Sequence, residues 1–232
     1  MKKNRYITSA KEKKLDNKKD FVSIIFLYDN YVYRRKSYGP IPLFEASEDK
    51  KIIDQHIQSI KNNFSNFEIV ICGGFECDKL IRYVDEKYYN ENIRIVENQL
   101  FEKTNDCESI RIALNNIKNK NVLIISALSN INDMQFNITD GQNKVYLSQV
   151  DRNTDIGANI NQHGNVEHMC FGAKYAWEGI MWMNNTECID TARKILFIDN
   201  FKSKLWFELV NGLIERNINI SSEIATKEEN KK

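Results

Sequence analysis

The chain has 232 residues, with 33 Lys and Arg against 32 Asp and Glu, and a formal net charge of +1. This length suits one substantial domain, and the near-neutral charge excludes a protein whose whole surface is basic for nucleic acid. No apolar run approaches the roughly 18 residues that span a bilayer, and no apolar block of the signal-peptide type follows the basic start. We therefore expect a cytoplasmic protein, or a component of a particle assembled in the cytoplasm.

The segment 1–20 is basic, with eight Lys and Arg and two acidic residues among its first nineteen positions. Such a composition is typical of a poorly ordered terminal tail. The alternative is an arm that docks on a partner, and a nucleic acid or other acidic surface would be reached only through this segment. Another protein or a second copy of the chain is the expected partner, and residues 21–229 are predicted to form a single domain.

From residue 21 to residue 128, apolar segments of strand length alternate with helical patterns. The apolar segments are FVSIIFLY (21–28), FEIVICGG (67–74), IRIVEN (93–98) and NVLIISAL (121–128). Apolar residues at helical spacing predict helices over 51–63, 77–88 and 105–118, and the stretch 29–50 is predicted to be irregular. Strands that alternate with helices are typical of βαβ units, so we expect a largely parallel sheet buried on both faces.

From residue 144 onward the pattern changes. The segments 144–150 and 156–172 alternate around turn residues and predict antiparallel pairs, and 176–183 is a further apolar strand. Helices are predicted over 186–197 and 203–216, with a short strand near 218–224. One α/β domain with a Rossmann-like, mixed and mostly parallel sheet flanked by helices accounts for this order.

The cysteines and histidines do not predict a metal site. The five cysteines are odd in number and scattered, which indicates no disulfide framework; they are Cys72, Cys77, Cys107, Cys170 and Cys188. His163 and His168 lie near Cys170 in the sequence, but short motifs of this kind are usually incidental. We assign no metal there.

Several segments in a fixed order carry a family resemblance. Leu27 is followed by YDNYVYR (28–34), then by Pro40 and Ile41. The further segments are KKIIDQHIQSIKNNFSNFEIVICGGF (50–75), ENQLFEKTNDCESIRIAL (97–114) and SEIATKEE (222–229). Together, over about 21–229, they resemble the sugar-phosphate and phosphocholine nucleotidyltransferases, whose sheet is of the glycosyltransferase-A type. In that family the first loop reads Ala-Ala-Gly-x-Gly-x-Arg and is followed by Pro-Lys.

The departures from the family pattern fall where the resemblance places the chemistry. In the family, two loop glycines let backbone N–H groups approach a triphosphate, and the resemblance places Asn30 and Val32 at these positions. Ile41 stands where the family has a phosphate-binding lysine. Leu128 and Ala225 occupy the positions of the two aspartates that bind Mg²⁺. Mg²⁺ prefers carboxylate oxygens, and losing one electrostatic partner of the transition state typically costs 10²–10³ in rate. The resemblance therefore implies a degenerate, non-catalytic member that needs no cofactor.

Other family positions near the nucleotide retain a suitable residue: Arg34, Gly73, Gly74, Asn105 and Ser109. If a nucleotide still binds, the resemblance implies that these residues contact it. Each also has a structural interpretation. Arg34 could lie on the surface, the glycine pair could turn the chain, and Asn105 with Glu108 predicts a helix capping box.

Two rival functions remain open. An active nucleotidyltransferase with displaced ligands would need Mg²⁺ and a nucleoside triphosphate, with carboxylates drawn from Asp29, Asp133, Asp140 and Glu223. A glycosyltransferase of the same sheet type would normally carry an Asp-x-Asp triplet, and the sequence contains none.

The non-catalytic hypothesis makes further structural predictions. Segments 22–28 and 122–127 should share one sheet. The former nucleotide cleft should be narrowed by bulky residues, namely Tyr28, Tyr31, Val32 and Tyr33. Three tryptophans (Trp177, Trp182 and Trp206) are candidates for a partner surface, with core packing expected for at least two of them.

Overall fold

The computed structural model describes residues 21–29, 39–47, 49–132, 134–136, 140–149 and 156–224. A nine-stranded sheet forms its centre. The main path of the sheet runs in the order β11 (Ile220–Ile224), β7 (Asn143–Gln149), β10 (Tyr175–Met183), β6 (Val122–Ser126), β1 (Val22–Tyr28), β4 (Phe67–Gly73) and β5 (Ile93–Glu97). Beside this path, β8 (Ile156–Ile160) pairs with β10 and with β9 (Val166–Phe171), and a separate ribbon pairs β2 (Glu45–Ser47) with β3 (Lys50–Lys51).

Strand directions define one edge of the sheet at which most strands end. β1 pairs in parallel with both β4 and β6, and β4 pairs in parallel with β5. β10 runs antiparallel to β6 and to β7, and β11 is parallel to β7. Every strand of the main path except β10 therefore ends at the same edge, which we call the carboxyl edge. The predicted sharing of one sheet by 22–28 and 122–127 is confirmed, because β1 and β6 are direct neighbours.

Helices cover both faces of the sheet and explain why β1 is apolar or aromatic at every position except Ser23, whose buried hydroxyl donates 2.6 Å to the Glu68 carboxylate. One face packs against α3 (Asp106–Leu114), α4 (Thr186–Leu196) and α5 (Trp206–Ile214), and includes Ile25 and Leu27. The other face packs against α1 (Ile52–Asn63) and α2 (Cys77–Lys87), and includes Ile24 and Phe26. Alternate residues of a strand point to opposite faces, so a strand between two helical layers is mainly apolar on both faces.

The predicted α/β architecture is confirmed, with differences at element ends. The helix predicted over 105–118 ends at Leu114, and the Lys118 N–H donates 2.7 Å to the buried Glu68 carboxylate instead of continuing the helix. The helix predicted over 203–216 begins at Trp206, after a 3₁₀ turn over Asp199–Ser203. The stretch 29–50 contains a 3₁₀ turn, Ile41–Leu43, and the β2–β3 ribbon, which the irregular prediction missed.

The tryptophans divide as expected. Trp182 and Trp206 are buried, and Trp177 is half-buried, with its ring centroid 4.1 Å from that of Trp206. The prediction of core packing for at least two of them is confirmed. Within the described residues, no helix has the length and apolarity to cross a membrane.

Candidate functional site

The carboxyl edge is where open α/β sheets bind ligands, because helix N-termini and loops converge there. β4 reaches this edge with Gly73 and Gly74. A Cβ on Gly74 would lie 2.6 Å from the Asp29 carbonyl oxygen and 2.8 Å from the Phe101 Cβ, and one on Gly73 would lie 2.6 Å from the Cys77 Sγ. The glycine pair therefore lets segments of the protein itself approach closely.

A buried polar network lies behind the end of β1, on the α3 side. Ser109 Oγ donates to the Asp29 carboxylate and accepts from Asn98 Nδ2 at 2.9 Å. Asn98 Nδ2 also donates 3.1 Å to Thr104 Oγ1. The network unites β1, the loop after β5, and α3. Burial, reinforced by the negative charge of Asp29, raises the pKa of the Cys72 thiol beside it.

Asn105 caps α3. Its side-chain oxygen accepts from the Asp106 N–H at 3.0 Å, and its own N–H donates 2.8 Å to the Lys202 carbonyl. The predicted capping role is confirmed. The predicted capping-box partner is wrong, since the Glu108 carboxylate instead receives two hydrogen bonds of 2.7 Å from Arg111.

Two of the altered family positions are described, and both carry apolar side chains. Ile41 is 3% exposed and belongs to the hydrophobic cluster against α1. Leu128 lies in the loop after β6 with 70% of its surface exposed, although the neighbouring Ala127 is buried and its N–H donates 3.2 Å to the Leu27 carbonyl. Neither position offers an oxygen from its side chain to a metal ion.

The described carboxylates named as alternative metal ligands have protein partners. Glu223 accepts from Lys144 Nζ at 3.1 Å, and Asp140 forms an ion pair with the same lysine. Burial acts to raise the pKa of Asp140, but hydrogen bonds from Lys144 and the Gln142 N–H outweigh it and lower the pKa. Asp29 accepts from Ser109. Among the residues that the structure describes, no group of three or more His, Cys, Asp or Glu side chains is arranged to hold a metal ion.

Several predicted positions lie outside the described residues: Asn30, Tyr31, Val32, Tyr33, Arg34, Asp133, Ala225 and the segment 1–20. Of the residues expected to narrow the cleft, only Tyr28 is described. Its ring stacks on Phe26 with centroids 5.2 Å apart, inside the α1-side cluster.

Sequence reasoning missed a hydrogen-bonded chain through His56 on α1. His56 Nε2 lies 2.8 Å from the Ser129 carbonyl oxygen, and Nδ1 lies 2.6 Å from the Tyr28 hydroxyl. A carbonyl can only accept, so Nε2 carries the proton and Nδ1 accepts from Tyr28. Burial lowers the pKa of His56 to about 4, so the ring is neutral. Its only sequence signal was a histidine on the apolar stripe of a predicted helix.

A second missed feature is the clamp between α1 and α2 around Asp54. The carboxylate accepts from Tyr88 at 2.6 Å, from Tyr83 at 2.7 Å, from Lys87 at 2.9 Å, and from the Lys51 N–H at 3.0 Å. Burial acts to raise the pKa of Asp54, but these hydrogen bonds outweigh it and lower the pKa. The clamp holds the start of α1 in place beside the carboxyl edge.

Comparison with known proteins identifies the fold. The chain is similar to the CTP:phosphocholine cytidylyltransferase of Streptococcus pneumoniae, with a TM-score of 0.72 and 16% identity over 89% of this chain and 90% of that one. It is also similar to a nucleoside-diphosphate-sugar pyrophosphorylase of Vibrio cholerae RC9, with a TM-score of 0.69 and 12% identity over 90% and 93% of the two chains. A third similar structure is the inositol-1-phosphate CTP transferase of T. maritima, with a TM-score of 0.67 and 12% identity over 88% of this chain and 86% of that one.

No protein-family model matches the chain, and no curated protein sequence matches it. The likeness is therefore one of fold, and it confirms the predicted nucleotidyltransferase-type sheet. Fold alone does not determine activity, which depends on the side chains at the site.

Proposed function

We propose that this chain is a non-catalytic protein with the nucleotidyltransferase fold, retained as a binding or structural component of a larger assembly. The observation that carries the proposal is Leu128. A side chain that cannot bind a metal stands 70% exposed at the carboxyl end of β6, beside the end of β1. The resemblance assigns a Mg²⁺ aspartate to this position, and without the metal a transferring phosphoryl group loses its main electrostatic partner.

The surroundings of Leu128 support the same proposal. Ile41 contributes to the core where the resemblance expects a phosphate-binding lysine. Two of the described carboxylates that could bind a metal ion instead contact protein groups, Asp29 with Ser109 and Glu223 with Lys144. The described strands nevertheless pack in two buried hydrophobic clusters, and core packing and site chemistry are separate requirements.

In place of catalysis, we propose that the protein acts by contact with another macromolecule. Phe197 is 81% exposed at the end of α4, and its neighbour Ile198 is also exposed. Large exposed apolar side chains are common in protein interfaces. We propose a protein partner or a second copy of the chain for this surface, with the segment 1–20 as an additional docking element.

The decisive experiment is a coupled assay for pyrophosphate release. Each of the four nucleoside triphosphates is supplied with Mg²⁺ and either a sugar 1-phosphate or phosphocholine, and the expected result is no turnover above a heat-denatured control. Robust turnover that EDTA abolishes would overturn the proposal.

The second candidate function is an active nucleotidyltransferase with displaced ligands. Asp29 favours it, because its carboxylate is buried at the carboxyl edge, next in sequence to β1. If the enzyme is active through this residue, Asp29→Asn should abolish EDTA-sensitive turnover while Asp140→Asn should not.

A further inference from the structure

A pocket of about 280 Å³ opens at the carboxyl edge, on the α1 side of the sheet. Its described lining consists of Ala46, Ile52, Gln55, His56 and residues 127–132. The walls thus come from β2, α1 and the loop after β6. The Asp29–Ser109 contact lies against α3, on the opposite face, so the pocket is a separate space.

The part of the pocket lining that the structure describes is uncharged. None of the described residues that line it carries a formal charge at neutral pH. His56 donates to the Ser129 carbonyl and accepts from the Tyr28 hydroxyl, so both ring nitrogens are occupied by the protein. The imidazole is therefore a fixed, uncharged part of the wall.

The N-terminus of α1 reaches the pocket through Ile52, and a helix N-terminus can attract an anion. Here two of its N–H groups already have partners. The Ile52 N–H donates 3.0 Å to the Phe44 carbonyl, and the Lys51 N–H donates 3.0 Å to Asp54. The Lys51 ammonium lies 4.4 Å from the centroid of the Tyr83 ring, on the α1–α2 clamp. These groups are therefore committed elsewhere and do not favour a phosphate.

The polar side chains of the described lining include the amides of Gln55 and Asn132, which lie beside apolar surface. Asn132 Nδ2 donates 3.2 Å to Gln55 Oε1, and Gln55 Nε2 donates 3.3 Å to Ser47 Oγ, both of which are long hydrogen bonds. Amide side chains donate and accept at once, which matches the hydroxyl groups of a polyol. Leu128 and Ile131 supply apolar area. The volume lies at the lower end of the range for small-molecule sites, as expected for one sugar ring.

We propose that this pocket binds an uncharged, hydroxylated molecule of monosaccharide size and discriminates against its phosphorylated form. This goes beyond the function proposed above, and it holds whether or not the carboxyl edge has retained catalysis. Gln55 and Asn132 would bind hydroxyl groups, and Leu128 would pack on a face of the ring.

The test is a chemical-shift titration of the full chain, followed at the backbone amides of residues 127–132. The probes are glucose, galactose, mannose and myo-inositol, with glucose 1-phosphate as the charged comparison. We expect saturable shifts with at least one neutral probe and weaker binding of glucose 1-phosphate. Gln55→Ala should weaken binding about three- to tenfold by removing the amide. Gln58→Ala, an exposed position on the same helix, is the matched control and should leave the affinity unchanged.

Ala46→Trp tests the pocket in a second way, by filling it. Residue 46 is exposed on β2, so a large side chain there can occupy the pocket without entering the core. Its thermal unfolding should match that of the unsubstituted protein while the shifts disappear. The proposal is overturned by the absence of saturable shifts at tens of millimolar of every neutral probe, by glucose 1-phosphate binding as tightly as glucose, or by binding that survives Ala46→Trp.

Discussion

Tyr28 and Asp29 are consecutive residues at the end of β1, yet they are anchored on opposite faces of the sheet. The Tyr28 hydroxyl donates to the neutral His56 on α1, whereas the Asp29 carboxylate accepts from Ser109 on α3. Both residues are buried. On the α1 side, the end of β1 is held by the uncharged Tyr28 and His56, beside a pocket whose described lining is uncharged. On the α3 side, it is held by the Asp29 carboxylate. Each side can be perturbed separately.

The largest expected effect comes from Gly74→Ala on the Asp29 side. The new Cβ would lie 2.6 Å from a backbone oxygen of Asp29, so two backbone segments must separate. We expect the free energy of unfolding to fall by about 3 kcal/mol, the upper part of the range for overpacking. Urea denaturation measures this value.

Gly212→Ala on α5 is the control, because the nearest contact of its Cβ is 3.4 Å, at the end of the Ile195 side chain. This variant should leave the free energy of unfolding unchanged or raise it by up to about 1 kcal/mol, because Ala has a higher helix propensity than Gly. Equal losses from the two variants would show that the close approach to Asp29 is unimportant.

The next effect is a pH dependence that originates on the α1 side. The pKa of His56 is lowered by burial from 6.5 to about 4. Between these values the unfolded chain binds a proton that the folded protein does not, so stability is complete above pH 6.5 and falls as the pH drops towards 4. The loss attributable to His56 is about 3 kcal/mol, at 1.36 kcal/mol per pKa unit.

Urea denaturation at several pH values, compared with His56→Gln, isolates this contribution. The variant should be less stable at pH 7 and should lose less stability between pH 6.5 and pH 4.5. Parallel pH profiles for the two proteins would contradict a neutral, buried His56.

A pair of smaller effects compares the two sides directly. Ser109→Ala removes a donor from a buried carboxylate, which should cost about 2 kcal/mol, because hydrogen bonds to charged groups are the stronger class. Tyr28→Phe removes a donor from a neutral imidazole and should cost about 1 kcal/mol. Chemical denaturation at pH 7 measures both. A larger loss of stability from Tyr28→Phe than from Ser109→Ala would contradict the placement of the charged hydrogen bond on the α3 side.

The smallest effect on stability is expected from deletion of residues 1–20, which leaves both sides of β1 intact. The melting temperature should be nearly unchanged, while co-purification with partners or self-association should weaken. The truncated protein is compared with the full chain by thermal unfolding and by light scattering. Undiminished assembly would exclude the segment as a docking element.

The sequence predicted the architecture well because its signals are local. Four apolar segments and the helical spacing between them predicted β1, β4, β5, β6 and the helices α1 to α3. The helix ends were predicted less accurately. α3 ends at Leu114, and the chain beyond it is held by the Lys118 N–H, which donates to Glu68, a residue fifty positions away. No local pattern contains that partner.

The identities of the candidate site residues could be predicted from the sequence, but their positions in space could not. Leu128 and Ile41 could be recognised in the sequence as apolar residues at positions where the resemblance expects polar ones. Only the tertiary structure shows that Leu128 is exposed at the carboxyl edge and that Ile41 is buried in the core. Glu223, a candidate metal ligand by sequence, forms an ion pair with Lys144 on the neighbouring strand, a contact that the sequence did not predict.

The sequence by itself determined the fold class and the order of the main strands along the chain, because short segments carry the periodicity of a strand or helix by themselves. Apolar residues at positions where the resemblance expects carboxylates could also be identified from the sequence. Only the tertiary structure decided that Tyr28 meets His56, that Asp29 meets Ser109, and that a pocket lies beside the first of these pairs. Contacts between residues 28 and 80 positions apart depend on how the helices pack on the sheet, and that packing is set by the whole core.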